Sequence, residues 1–474
     1  MFRPLIRLGL WSGLAVTVAA ADWPQFRGPG GRSVAEGPPP PTRFGPDSNV
    51  VWQVELSPGN SSPILVRDFI FLTGVASNRL ETWALDRTTG ATRWRATVPT
   101  ERLEPTHRLG NPATPTPCSD GERVYVRFGS FGLLAYDFNG HELWRQALPT
   151  PVVEFGNSAS PILVGDRLIQ VVDQDQDSFL LALDSKTGHE LWRTARPEFR
   201  RGFATPLAWT HDGFTELVVP GSVVLTAYDP TNGRERWRYT GTSRVSTGSP
   251  AVGEGLLFNA SWNLGGDAGS RVSMPPFAEF IREHDTDKDG VLLKSEIPTG
   301  PIAERFSQMD FNKDGKINEA EWTAMAALFN QAENAVLALR PGGLGSLGTN
   351  ALAWRSTRSL PYVSSPLYYH GRLFTMKSGG LASAYEAKTG KVLFQDERVG
   401  VGGDYYASAV AGGDNLYLPA ESGTVVVLGA TDRLEVRARN HLGEAIMATP
   451  AIADGQIFIR TAGHLYNFGI HPQR

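Results

Sequence analysis

SPILVGDRLIQVVD, residues 160–173, followed closely by FLLALDSKTGHELW, residues 179–192, carries two hairpins in succession. Gly165-Asp166 separates ILV from LIQVV, and Asp184-x-x-Thr187-Gly188 separates LLAL from HELW. Both are hairpin signals, in which glycine supplies the positive φ of a tight turn between apolar runs. The stretch therefore predicts four short antiparallel strands, a unit that cannot bury both of its faces alone.

The same order recurs outward in both directions. A small residue pair opens each unit: Ser62-Pro63, Thr116-Pro117, Ser160-Pro161, Thr205-Pro206, Ser249-Pro250, Ser365-Pro366, Ser408-Ala409 and Thr449-Pro450. Successive anchors lie 41–54 residues apart, except for one interval of 116. The second hairpin is repeated as TWALDRTTGATRW (82–94), LAYDFNGHELW (134–144), TAYDPTNGRERW (226–237) and SAYEAKTGKVLF (383–394). Eight such units packed around an axis predict a mainly β fold, an eight-bladed β-propeller of four-stranded antiparallel blades. The eighth unit ends at HLYNF (464–468) without a fourth strand, while VVWQV (50–54) is a strand without a unit, so it is expected to complete the last blade. The repeat tryptophans Trp94, Trp144, Trp192, Trp237 and Trp354 are read as inter-blade packing.

The Ala-(Leu/Tyr)-Asp-x-x-Thr-Gly-x-x-x-Trp element resembles the pyrroloquinoline-quinone (PQQ)-like repeat of eight-bladed propellers, found in quinoprotein dehydrogenases and in the outer-membrane assembly lipoprotein BamB. The opening DWPQFRGPGG (22–31) is similar to that of exported bacterial propeller proteins. The resemblance covers about four fifths of the chain and speaks for architecture, because its Trp and Gly serve packing and turns. One alternative it implies is a PQQ-dependent dehydrogenase. Those enzymes carry a vicinal cysteine pair and long roofing loops, whereas this chain has one cysteine, Cys118, and short units, so PQQ is not expected.

Arg3 and Arg7, the apolar run 8–18 and Ala19-Ala20-Ala21 read as a cleaved signal peptide over residues 1–21, predicting a periplasmic or secreted protein with no stable membrane span. There are 45 Lys+Arg against 49 Asp+Glu, a net charge of −4, with no cationic run longer than two, so nucleic acid is not an expected partner.

The long interval holds the chemical signal. Propeller sequence is read over 22–262 and again over 335–474, with an acidic, helical insertion at 275–334 that contains twelve Asp/Glu and six Lys/Arg. DTDKDGVLLKSE (285–296) places Asp285, Asp287 and Asp289 at positions one, three and five, Gly290 at six, the Val291 carbonyl at seven and Glu296 at twelve. DFNKDGKINEAE (310–321) places Asp310, Asn312, Asp314, Gly315, the Lys316 carbonyl and Glu321 likewise. Both match the EF-hand calcium loop: about seven oxygens must surround the ion, so alternate side chains turn inward, glycine allows the bend and the last glutamate closes the sphere. Two Ca²⁺ sites are expected. Leu293 at position nine offers no side-chain oxygen where Asn318 does, so the second site should bind at least as tightly. Helices are expected over 275–284, over 302–309 and from Glu319.

No catalytic constellation is read. GLGSLG (343–348) is followed by a strand and Trp354 rather than a helix, so it reads as a blade turn. There is no phosphate-binding loop, nucleophile elbow or zinc helix. The expected function is therefore that of a binding or scaffold propeller, with an unidentified protein or small-molecule ligand at its rim or channel. RLGNPAT (108–114), EFGNSAS (154–160) and DYYAS (404–408) precede inner strands and are the candidate contacts.

Overall fold

The computed structural model describes residues 21–470 apart from 268, 270 and 271. The expected signal peptide lies outside the described residues except for Ala21. Eight antiparallel four-stranded sheets form the propeller. The unit at 160–195 folds as Ile162–Val164, Arg167–Val172, Phe179–Asp184 and Glu190–Ala195, paired in that order from the axis outward. Val50–Glu55 pairs antiparallel with His464–Gly469 and supplies the outermost strand of the eighth blade, as expected. The ring is thus fastened by joining both ends of the chain in one sheet.

The motif residues meet across blade boundaries. Trp94 Nε1 donates to the Phe138 carbonyl of the next blade, Trp144 to Ser185, Trp192 to Pro230, Trp354 to Ala387 and Trp52 to Arg87. Each indole lies on the turn glycine of that next blade. At Gly188 (φ 73°) a Cβ would come within 2.6 Å of Trp144. Glycine is required there twice over, for the left-handed turn and for the ring stacked on it. Trp237 departs from the pattern: it is buried against the fifth blade, but its N–H goes to Glu216 Oε2 at 2.9 Å. GLGSLG is not a simple turn, because Gly345–Ser346 adds a short parallel strand to the edge of the fourth blade beside Trp237.

The anchor residues form a second closure that their repetition does not announce. Ser62 N donates to Thr116 Oγ1, Thr116 N to Ser160 Oγ, and so on through Thr205, Ser249, Ser365, Ser408 and Thr449, whose N–H returns to Ser62 Oγ. All eight distances fall between 2.9 and 3.1 Å. The proline that follows seven of the anchors favours extended backbone at the anchor and brings no N–H that needs an acceptor.

Candidate functional site: the inserted loops and the channel cavity

Antiparallel blade order sends the loop before each anchor and the turn between the second and third strands to the same face. The insertion leaves the fifth blade after Leu256–Ser261 and returns at Ala335–Leu339, so it stands on that face. It holds three helices, α1 (Phe277–His284), α2 (Phe306–Met309) and α3 (Glu319–Gln331). α2 is shorter than its expected range, since residues 303–305 form a 3₁₀ turn before it. Their core is Phe277, Phe280, Leu292, Phe306, Met309, Ile317, Trp322, Met325 and Phe329 with their apolar neighbours.

Each twelve-residue loop bends back on itself. Gly290 and Gly315 sit at φ 84° and 82°. Leu292 pairs with Ile317 and Leu293 with Lys316, tying the loops together through a two-residue β contact. In the first loop, one oxygen each from Asp285, Asp287 and Asp289 lie within 4.8 Å of one another. Asp285 accepts from the amides of Lys288 (2.7 Å) and Gly290 (3.0 Å). Glu296 folds back to accept the amides of Thr286 and Leu293, each at 2.8 Å, which hold its carboxyl below the usual range. In the second loop, Asp310 accepts from Asp314 and Gly315, Asn312 donates to Asp314, and Glu321 accepts from Phe311 and Asn318. Val291 and Lys316 occupy the seventh places, Val291 just before the β contact and Lys316 within it. Lys316 Nζ lies 2.9 Å from Asp289 and lowers its pKa, so a cation in the first loop has to compete with this ammonium.

The second loop leans on the propeller. Gln176 Nε2 donates to the Phe311 carbonyl (2.7 Å), Lys313 pairs with Asp175 (3.1 Å), and the Arg200 guanidinium lies over the Phe311 ring.

Below the insertion lies a cavity of about 450 Å³ whose lining includes all eight anchor residues. The three candidate loops reach its wall through Leu109, Gly110 and Thr114, through Phe155 and Ser158, and through Tyr406. Three arginines that sequence reasoning did not single out also line it: Arg201, Arg244 and, from the insertion, Arg305. The available signal was position, since Arg201 and Arg244 stand four and five residues before their anchors.

The opposite end is crossed by DWPQFRGPGG. Trp23 exchanges backbone bonds with Leu65, Pro24 accepts from Ser119, and the Arg27 guanidinium donates to the carbonyls of Ser249, Pro250 and Pro366. Val34–Ala35 then pairs with the inner strand of the seventh blade. These partners lie on or just after the anchors, whereas the insertion meets Asp175 and Gln176, between a second and a third strand, and Arg200 and Arg244, ahead of anchors, so strap and insertion lie on opposite sides of the ring, and Phe26 of the strap lines the cavity.

Comparison with known proteins agrees with this geometry. The sequence profile of outer membrane protein assembly factor BamB matches residues 81–265 and 316–470, well over half of the chain. The chain belongs to this BamB family. The unmatched interval, 266–315, contains the first loop, α1 and α2. BamB from Moraxella catarrhalis superposes with a TM-score of 0.53 at 13% identity, covering 89% of this chain and 99% of its own. Quinohemoprotein alcohol dehydrogenase ADHIIG from Pseudomonas putida superposes at 0.55 with 13% identity, covering 96% and 82%. A computationally designed protein, Ika8, superposes at 0.54 with 10% identity, covering 89% and 100%. At these identities the likeness concerns the propeller fold. No curated protein matches the sequence. No helix among the described residues is long and apolar enough to cross a membrane.

Proposed function

We propose that this BamB-family propeller is an exported calcium-binding scaffold: both inserted loops hold Ca²⁺ as EF-hands, and the insertion presents the channel mouth to a ligand. The observation that carries the reading is the inward fold of each loop, in which the closing glutamate, Glu296 or Glu321, returns to the amides at the start of its own loop. Each glutamate thereby turns back into the loop that carries Asp285, Asp287 and Asp289, or Asp310, Asn312 and Asp314, the kinds of oxygen that a hard cation of seven-fold coordination takes. The Val291 and Lys316 carbonyls complete each set. Calcium would cancel the mutual repulsion of these carboxylates, so binding stabilises the insertion. The second loop, buttressed by Gln176 and Asp175 and supplied with Asn318, is the tighter site. The cationic, apolar start of the chain supports export to the periplasm or beyond.

Isothermal titration and melting with calcium test the reading. Two bound ions per chain are expected, each contributing a stabilisation of about 2.7 kcal/mol when free calcium stands at 100 times its Kd. Glu321→Gln should abolish the tighter phase and Glu296→Gln the weaker one. Absence of both binding heat and a melting shift would overturn it.

A further inference from the structure

We propose that the channel cavity binds a small organic anion, its apolar body in the channel and its acidic group held between Arg244 and Arg305. This site stands apart from the calcium reading and uses different residues.

Charge gives the first argument. Arg244 is only 7% exposed, yet its guanidinium meets neutral partners, Gln308 Oε1 at 3.1 Å and Asn263 Oδ1 at 2.9 Å, and its Nε has none. Arg305 is 6% exposed and donates to the Pro301 carbonyl, while its nearest carboxylate, exposed Glu304, is 3.8 Å away. Arg201 beside them is already matched by Asp175 and Glu154. Burial, followed by the charges of Arg201 and Arg305, pushes the Arg244 pKa down to about 10. Two buried cations line the cavity, Arg244 with neutral partners and Arg305 with only an exposed carboxylate at 3.8 Å, and an anion between them stabilises both.

Shape supplies the second. A chamber of about 450 Å³ is far larger than phosphate or sulfate needs, and Phe155, Phe203, Val245, Leu264 and Met447 give it apolar walls. At its floor, each anchor hydroxyl accepts an N–H around the ring and keeps its own proton free to turn toward an oxygen of the ligand. Finally, Arg305 and Gln308 lie outside the residues matched by the family profile, so this half of the cradle belongs to the insertion.

The test compares two fluorescent probes of one shape in the full-length mature protein with calcium present: anilinonaphthalene sulfonate, an anion, and uncharged phenylnaphthylamine. One sulfonate per chain is expected, bound at least about tenfold more tightly than the neutral probe, the factor one charged hydrogen bond supplies. Arg305→Gln should reduce the preference about tenfold, and Arg244→Gln with Arg305→Gln should erase it without loss of neutral-probe binding. Equal affinities in the wild-type protein, which need no variant to measure, overturn the proposal. So does a preference that survives in a double variant with wild-type melting. Failure here with two calcium ions still bound would leave the calcium reading standing.

Discussion

Arg27 is the residue on which the strap's hold can be measured. It is 1% exposed, has no carboxylate partner among the described residues, and its guanidinium donates to Ser33 Oγ (2.7 Å) and to the carbonyls of Pro250 (2.8 Å), Pro366 (2.7 Å) and Ser249 (3.3 Å). Burial lowers its pKa from the ordinary guanidinium value to about 9, which corresponds to a cost of about 5 kcal/mol for housing the charge. Against this stand four hydrogen bonds from a charged donor, worth roughly 1.5–3 kcal/mol each, or about 6–12 kcal/mol together. The bonds win, and Arg27→Met, similar in length but without donors, should destabilise the protein by about 1–7 kcal/mol. Urea unfolding followed by tryptophan fluorescence reads the loss. Trypsin provides a second readout, because Arg32 and Arg43 follow the strap and are cut faster once it lifts. A variant as stable as wild type within about 0.5 kcal/mol, or more stable, would refute the reasoning, since desolvation would then outweigh the bonds.

Other outcomes follow from single contacts. Ser160→Ala leaves the buried Thr116 N–H without its acceptor, and a loss of about 1–3 kcal/mol in chemical unfolding is expected. Gly188→Ala should cost clearly more than Gly165→Ala: both backbones are left-handed (φ 73° and 61°), but only the Gly188 Cβ strikes an indole, whereas nothing lies within 4 Å at Gly165. Thermal melting of the two variants compares the inter-blade contact with turn strain alone. Buried Glu104 has its pKa raised from 4.5 to about 7, by burial first, with the Arg127 charge and the Asn157 amide opposing. The folded state therefore holds the proton more tightly than the unfolded one, and this group's contribution to stability falls as pH rises from about 4.5 to about 7, by at most about 3 kcal/mol. Glu104→Gln should flatten that part of the stability–pH profile.

The propeller was legible because its signals are local and repeated. Turn glycines, alternating runs and the Trp positions recur with each blade, and even the displaced strand at 50–55 showed itself as a Trp-bearing strand lacking a unit. What stayed hidden depends on contacts between distant residues. Ser and Thr in the anchors marked the repeat without revealing that each hydroxyl accepts the amide of the previous blade. Nothing in DWPQFRGPGG states that it crosses the far side of the channel. Arg244 and Arg305, 61 residues apart, converge only because the insertion folds back over the mouth. The spacing of the loop oxygens was plain, by contrast, because a metal loop is specified within twelve consecutive residues.

Joining residues 50–55 to residues 464–469 in one sheet has a consequence for biogenesis. During synthesis, N-terminus first, seven blades can emerge and pair internally while the first tryptophan-bearing strand still waits for a partner at the far end of the polypeptide. Until synthesis finishes, two sheet edges face each other unmatched, open to proteases and to other strands. Any chain truncated before His464 never acquires the lock, so wholeness of the finished product is checked by its own geometry.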